Sequence, residues 1–339
     1  MKRAPSGPDT SRARAKTRLC GEPPDRGLIG PVTALAEQVL DSPELVPQTT
    51  MRTMVFLDSR HVLKAYLRDR EARFSDCRSS RSSAEASALG EAGARGLPVP
   101  RVLDAGIAGS ATPWLLMTRL PGDHPCFHFY DMHWSPAAWP VQYLLGRLLG
   151  DLHRLLAAAV GHDDLSAQQD RLARVSDIGR WLRARAAIDG RVHAATAELT
   201  RSWPGPPSMA VRLHGDYGHR NVLVTGGDEH ADWAVTGVID FEDSRIGDPV
   251  EDLVNIMFLA SDSDGARSFL RGYRERNPAV LDDPASTHRL AVLLAERALR
   301  VIWMGSQRRD SVSGGYLAAA YAVLARLADA GGNCRWADS

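Results

Sequence analysis

Residues 213–221, which read Leu-His-Gly-Asp-Tyr-Gly-His-Arg-Asn, run directly into the apolar segment Val-Leu-Val at 222–224. Residues 238–243 read Val-Ile-Asp-Phe-Glu-Asp, so that a carboxylate again borders an apolar strand. The two strands and the turn between them predict an antiparallel hairpin, in which the numbers of paired residues have a constant sum. A turn centred near position 230 pairs Asn221 with about Asp240, at the open end of this hairpin.

The polar residues at this strand end are typical of a magnesium site. Asp216 lies five residues before Asn221, so we expect it in the loop beside Asp240. One amide and two carboxylates supply the hard oxygen ligands that Mg²⁺ prefers. Each residue also has a structural reading, because Asp and Asn commonly stabilise turns and strand ends through their own backbone. Both readings remain open at the level of this pattern.

Along the whole chain, the apolar periodicity predicts a small sheet followed by a helical region that contains the hairpin. Strands are predicted at 51–57, 61–67, 101–105, 114–119, 222–225 and 233–239. Helices are predicted at 30–41, 82–95, 140–159, 165–186, 187–203, 248–260, 264–276, 286–304 and 315–330. This is an α+β pattern. We expect a disordered basic tail over 1–26, an N-terminal sheet lobe over 27–118 and a mainly helical C-terminal lobe over 119–339.

The composition argues against several classes of protein. The 339 residues include 41 Lys+Arg and 41 Asp+Glu, whereas a dedicated nucleic-acid binder needs a basic face. A nucleic-acid-binding arm is the alternative interpretation of the basic tail alone. There is no run of about 18 apolar residues to span a membrane, no CxxC pair to bind zinc and no secretory signal at the start. We therefore expect a cytoplasmic protein without a nucleic-acid or membrane partner, and the oligomeric state stays open.

Lysine is almost absent from the chain. Only three of the 41 basic residues are lysines, and Lys64 is the only one beyond position 16. A compact ammonium suits phosphate contacts better than the wide guanidinium fork of arginine. The isolated Lys64 therefore fits a phosphate-binding role, with an edge-strand solubility charge as the alternative.

Several motifs together identify a family. The decisive ones are HGD-x4-N at 214–221, Ile-Asp at 239–240 and GDP-x2-DL at 247–253. They are accompanied by VLK at 62–64, LPVPRVL at 97–103, WLLMTRLPG at 114–122 and L-x3-LH at 148–153. With these motifs, residues 45–330 resemble the aminoglycoside phosphotransferase family of protein-kinase-like enzymes that phosphorylate small molecules.

The resemblance implies a protein-kinase-like two-lobe fold and a role for each matching residue. Asp216 is implied to be catalytic, and Asn221 and Asp240 to bind Mg²⁺. Lys64 is implied to contact the nucleotide phosphates with Glu85 as its partner, and Glu91 is the alternative partner. Backbone groups at the hinge, at Thr118 and Leu120, are implied to bind the base of ATP, with GTP as the alternative because the side chains there do not disclose the base. Asp248 and Asp252 are read as structural residues.

One departure from protein kinases concerns the phosphate-covering loop, which is glycine-rich in those enzymes. Residues 44–63 contain no glycine, so Thr49 and Thr50 are expected to contact the phosphates instead.

The expected function is ATP-dependent phosphorylation of a hydroxyl on a small molecule, foremost an antibiotic. A metabolic kinase for a sugar, amino alcohol or choline-like substrate, and a non-catalytic nucleotide-binding pseudokinase, are the alternatives. Carboxylates would attract a cationic acceptor, and the candidates are Glu242, Asp243, Asp262 and Asp264.

Overall fold

The computed structural model describes residues 26–41, 43–45, 53–67, 77–109, 112–125, 136–158, 163–226, 232–260, 263–307 and 314–330. Of the tail predicted over 1–26, only Arg26 falls within these ranges, as the first residue of helix α1. The proposed phosphate contacts Thr49 and Thr50 lie outside them.

The N-terminal lobe is built on a five-stranded antiparallel sheet in the order β1-β2-β3-β5-β4. Its strands are β1 (Glu44–Leu45), β2 (Thr53–Leu57), β3 (His61–Tyr66), β4 (Val102–Ala108) and β5 (Thr112–Thr118). The β2–β3 turn is closed by Asp58, whose carboxylate accepts hydrogen bonds from the amides of Arg60 and His61, both at 2.6 Å. Lys64 lies in the middle of the sheet, where β3 pairs with both β2 and β5.

Two helices accompany this sheet, α1 (Arg26–Val39) and α2 (Cys77–Ala94). Helix α2 begins five residues before the predicted start at 82, because its polar first turn carries no apolar periodicity to reveal it. It ends where expected, near Gly96, whose φ of +76° suits glycine at the end of a helix.

The C-terminal lobe is mainly helical, as predicted. After the 3₁₀ turn Pro136–Ala138, its helices are α3 (Trp139–Leu155), α4 (Asp163–Ala184), α5 (Gly190–Arg201), α6 (Val250–Ala260), α7 (Asp264–Arg276), α8 (Pro278–Asp282), α9 (Pro284–Gln307) and α10 (Gly314–Asp329). None of the helices in the described part of the chain is long and apolar enough to cross a membrane.

Helices α3 and α7 cross at very short range because glycines lie at the contact. A Cβ atom added to Gly146 would lie 1.9 Å from the carbonyl oxygen of Phe269, and one added to Gly272 would lie 2.1 Å from that of Tyr143. The two backbones therefore pack directly against each other beneath the polar loop at 213–221.

The small strands of this lobe place that loop. The predicted hairpin is present as β8 (Val222–Thr225) and β9 (Ala234–Val238). A second, three-stranded sheet was not predicted: β6 (Ala157–Ala158), β7 (Ala210–Leu213) and β10 (Arg245–Gly247) pair in the order β10-β7-β6. These strands have two to four residues, which is too short for an alternating pattern to show.

Candidate active site

The open end of the β8–β9 hairpin brings Asn221 beside the Ile-Asp stretch. The last ladder pair is Val222 with Val238, and the amide of Ile239 then donates to the carbonyl oxygen of Asn221 at 2.9 Å. Asn221 thus faces Ile239, one residue from the approximate partner, Asp240, that the position of the turn predicted. The chain turns sharply at Asp240, which has a φ of +69°, a conformation that residues other than glycine rarely adopt.

Asp216 is held at the tip of its loop by two amide side chains. Asn255 Nδ2 donates to Asp216 Oδ1 at 3.0 Å, and Asn221 Nδ2 lies 3.3 Å from Oδ2 and 2.8 Å from the Asp216 carbonyl oxygen. Because Asn221 Nδ2 contacts two oxygens of Asp216, the orientation of the Asn221 amide is fixed. Its Oδ1 therefore faces away from Asp216 and has no hydrogen-bond partner in the described part of the chain. Burial raises the pKa of Asp216, and the charges of nearby carboxylates add to this effect.

The loop is anchored from below by Asp252 on α6. Its carboxylate accepts hydrogen bonds from the amides of His214 at 2.7 Å and Gly215 at 2.9 Å, and from His153 Nε2 at 3.1 Å. The Tyr273 hydroxyl on α7 lies 2.8 Å from His153 Nδ1. Tyr273 therefore helps to hold the His153 ring of α3 against the carboxylate of α6. Burial alone would raise the pKa of Asp252, but the His153 and backbone contacts keep it below its usual value. Asp252 is therefore a buried support of the loop.

His214 connects the loop to the hairpin end. Its Nε2 lies 2.9 Å from the carbonyl oxygen of Ile239, and its Nδ1 accepts from the amide of Asp216 at 3.2 Å. These contacts use both ring nitrogens and link the backbone positions next to Asp216 and Asp240. Asp248, in turn, pairs with the buried Arg289 at 2.6 Å.

Lys64 reaches from the N-terminal lobe into this region. Its Nζ lies 2.7 Å from Glu85, 2.5 Å from Asp240 and 3.1 Å from Glu242. Lys64 is only 5% exposed. Burial opposes its charge, but the three carboxylates raise its pKa well above the usual value. Burial would likewise raise the pKa of Asp240, yet Lys64 holds it below its usual value. Lys64 is therefore protonated and Asp240 ionised.

Glu85 is the partner of Lys64, and Glu91 is not. Glu91 forms an ion pair with Arg212 at 2.5 Å. The Glu85 carboxylate also accepts a hydrogen bond from the Tyr66 hydroxyl at 2.5 Å and one from the amide of Phe241 at 3.2 Å. One side chain of α2 therefore holds both Lys64 and the backbone that follows Asp240.

The hinge residues lie where β5 leaves the N-terminal lobe. Thr118 pairs with Arg101 through its backbone amide, and its hydroxyl accepts from the Arg101 amide at 2.9 Å. Leu120 packs on β9, since a Cβ added to Gly237 would lie 2.4 Å from its Cδ1. The backbone of Leu120 makes no hydrogen bond to another backbone group of the described residues.

The residues at the hairpin end fit a divalent cation. The carboxylate oxygens of Glu85, Asp240 and Glu242 lie within 4.8 Å of one another. Glu242 Oε2 is buried and is paired with Lys64 Nζ at 3.1 Å. This oxygen-only donor set is the type that Mg²⁺ prefers.

The four carboxylates expected to attract a cationic acceptor have different placements. Glu242 turns toward Lys64 and is mostly buried, with a pKa raised by that burial. The backbone of Asp243 packs against Gly215, whose absent Cβ would lie 2.2 Å from the Asp243 carbonyl oxygen. Asp264 pairs with Arg267 on the surface of α7, and Asp262 lies outside the described residues.

Two contacts of the site were missed by the sequence reasoning. Tyr66 lies two residues after Lys64 on β3, and alternation along a strand places both side chains on one face. That spacing could have indicated Tyr66. Asn255 lies one helical turn after Asp252, so the same face of α6 supports the loop at two points.

The chain is similar in sequence or in fold to known phosphotransferases. A model of the phosphotransferase enzyme family matches residues 53–290. The solved GDP complex of aminoglycoside 2'-phosphotransferase-IIIa is similar with a TM-score of 0.59 and 14% identity, covering 88% of this chain and 97% of that chain. A ternary complex of aminoglycoside phosphotransferase APH(4)-Ia with AMP-PNP and hygromycin B has a TM-score of 0.56 and 18% identity, covering 88% and 98%. The GDP and kanamycin complex of APH(2")-IIia has a TM-score of 0.58 and 15% identity, covering 87% and 97%.

A comparison with curated protein sequences found no match. The structural similarity spans nearly the whole of each solved chain. The α+β, protein-kinase-like fold expected from the sequence is therefore confirmed.

Proposed function

The chain belongs to the phosphotransferase enzyme family, and we propose that it transfers the γ-phosphoryl group of ATP or GTP to a hydroxyl group of an antibiotic. Membership makes it a kinase with an alcohol group as acceptor; the nucleotide, the metal ion and the acceptor belong to the proposal. The observation that most directly supports the proposal is a series of contacts between the two lobes. Lys64 contacts Asp240, and Asn221 pairs with Ile239, the residue before Asp240, and contacts Asp216.

Asp216 is the catalytic base of the proposed reaction. The acceptor hydroxyl gives its proton to the Asp216 carboxylate while its oxygen forms a bond to the γ-phosphorus. The bond between that phosphorus and the β–γ bridging oxygen breaks, and the nucleoside diphosphate leaves. The pKa of Asp216, raised by burial, makes the carboxylate a better proton acceptor. Asn255 and Asn221 orient it.

Asp240 and Asn221 are the proposed ligands of Mg²⁺, through Asp240 Oδ1 or Oδ2 and Asn221 Oδ1. The bound ion would neutralise charge on the phosphate oxygens, which is most of what a phosphotransferase supplies to its reaction. Asn221 can serve both groups because its Nδ2 stays on Asp216.

Lys64 and Glu85 form the proposed phosphate contact. Glu85 holds the ammonium at 2.7 Å, and the phosphates would take the positions now filled by Asp240 and Glu242. Thr118 and Leu120 contribute backbone groups to base binding.

The choice of acceptor draws on the similar structures. They are complexes with GDP or AMP-PNP as the nucleotide, two of them with hygromycin B or kanamycin as the antibiotic. Asp216 and its acidic neighbours make the loop edge negative, which suits a cationic acceptor.

A transfer assay tests the proposal. Purified enzyme with Mg²⁺ and either ATP or GTP is offered kanamycin, hygromycin B, macrolide, nucleoside and peptide antibiotics, and separately choline and simple sugars. Mass spectrometry detects the added phosphate. Asp216→Asn is the control, and its kcat should fall by about 10²–10⁴-fold with nucleotide binding retained.

The possible outcomes separate the alternatives. Transfer only to choline or sugars would show that the enzyme is a metabolic kinase and not an antibiotic kinase. Nucleotide binding without transfer or nucleotide hydrolysis would indicate a pseudokinase. Near-normal turnover by Asp216→Asn would remove Asp216 from the mechanism.

A further inference from the structure

Three hydrogen-bond donors hold the Glu85 carboxylate. Its Oε2 accepts hydrogen bonds from Lys64 Nζ at 2.7 Å and from the Tyr66 hydroxyl at 2.5 Å, and its Oε1 accepts one from the Phe241 amide at 3.2 Å. Glu85 is 1% exposed, so water cannot replace a lost donor. A buried charged group that loses one of its donors is strongly destabilised.

Tyr66 contacts both members of the Lys64–Glu85 pair. Its ring centroid lies 5.2 Å from Lys64 Nζ, in the range of a cation–π contact, while its hydroxyl reaches Glu85. Tyr66 is 1% exposed. Burial and the neighbouring Glu85 carboxylate raise the pKa of Tyr66, so the hydroxyl keeps its proton and acts as a donor.

Three carboxylates compete for the ammonium of Lys64. Glu85, Asp240 and Glu242 all lie within 3.1 Å of it, and the proposed function requires that it leave Asp240 and Glu242 for phosphates while staying on Glu85. The position of Glu85 therefore decides where the ammonium points. The Tyr66 hydroxyl fixes that position and takes up part of the negative charge on Oε2, which leaves more of the lysine charge for the phosphates.

We propose that Tyr66 is a positioning residue for nucleotide phosphates, acting through Glu85 on Lys64. This role rests on the proposed function, because it assumes that Lys64 binds phosphate. It concerns the phosphates alone, since Tyr66 contacts Lys64 and Glu85 and the proposed base-binding groups lie at the hinge.

The test compares binding of MgATP and of adenosine, which lacks phosphates, by calorimetry. Tyr66→Phe keeps the ring and removes only the hydroxyl. It should weaken MgATP binding by about tenfold, as expected for a hydrogen bond to a charged group, and should leave adenosine affinity unchanged. Tyr316→Phe removes a tyrosine hydroxyl from α10 and is the matched control, with unchanged affinity for both ligands.

A double-mutant cycle with Glu85→Gln tests the path of the effect. If Tyr66 acts through Glu85, Tyr66→Phe should cause little further loss of MgATP affinity in the Glu85→Gln background. Tyr66→Leu also lacks the hydroxyl and replaces the phenylalanine variant should that variant not fold.

Three results would overturn the assignment: wild-type MgATP affinity in Tyr66→Phe, an equal loss for adenosine, or full additivity with Glu85→Gln. A wild-type protein that binds no MgATP would instead refute the proposed function, and the role of Tyr66 would fall with it. The two failures are thus distinguishable.

Discussion

Replacing Asp252 should show how strongly the loop at Asp216 depends on its buried support. The Asp252 carboxylate is 2% exposed and accepts three hydrogen bonds, from His214, Gly215 and His153, at 2.7, 2.9 and 3.1 Å. Removing one partner of a buried charged network costs about 3–5 kcal/mol, so Asp252→Ala should lower the free energy of unfolding by that amount.

Asp252→Asn should be milder. The amide oxygen can still accept from one backbone donor, but the amide nitrogen then faces another donor, and an unsatisfied buried group costs about 1–3 kcal/mol. The loss is large against the total stability of a domain, about 5–15 kcal/mol.

The lowered pKa of Asp252 determines how its contribution to stability changes with pH. A carboxylate whose pKa is lowered on folding stabilises the protein above its unfolded pKa, about 3.9 for Asp, and this contribution is lost as the pH falls through the lowered folded pKa. The difference between wild type and Asp252→Asn should therefore be constant near neutral pH and should shrink below about pH 4.

Urea unfolding followed by tryptophan fluorescence at neutral and acidic pH measures both effects. Asp177→Asn, on the exposed Asp177–Arg180 pair, is the control and should change stability by less than about 1 kcal/mol. A loss below about 1 kcal/mol in Asp252→Ala, or a difference independent of pH in Asp252→Asn, would refute the reasoning.

Three further predictions concern the lysine, the metal ligands and the helix crossing. Lys64→Arg should sharply reduce phosphotransfer despite the retained charge, because the guanidinium fork cannot occupy the space of a compact ammonium between carboxylates; wild-type kinetics would place the phosphate site elsewhere. Asp240→Ala should be more severe than Asn221→Ala, and only the latter should recover at high Mg²⁺, since it loses a neutral oxygen; a Mg²⁺ titration of activity decides this, and unchanged Mg²⁺ dependence in Asp240→Ala would contradict it. Gly272→Ala should lower the free energy of unfolding by about 1–3 kcal/mol through overpacking, and the thermal midpoint with it, because its Cβ would lie 2.1 Å from the Tyr143 carbonyl oxygen; an unchanged midpoint would mean that the two helices can move apart without cost.

The sequence predicted those parts of the site that are local in the chain. The hairpin, the loop carrying Asp216 and the isolated Lys64 were visible because polar residues interrupt apolar strands at recognisable spacings. The ladder at the open end is centred on position 230, so Asn221 lies opposite Ile239, whereas pairing with Asp240 would need a centre half a residue later. The register shift between Leu223 and Val224, closer to the turn, left no clear mark in the pattern.

What the sequence could not indicate depends on contacts between distant segments. Asn255 meets Asp216 across 39 residues, and Lys64 meets Glu242 across far more. The packing of α2 against the sheet decides that Glu85, and not Glu91, faces Lys64. Likewise Glu242, expected to attract the acceptor, turns toward the ammonium because the backbone at Asp240 bends through a positive φ.

The rarity of lysine has a practical consequence for chemical labelling. Lys64 is the only lysine beyond position 16, and its ammonium is buried among three carboxylates that keep it protonated. General amine-reactive reagents should therefore leave Lys64 unmodified. A nucleotide that carries an acylating group on its phosphates should instead modify Lys64, giving a single labelled peptide from the whole folded region.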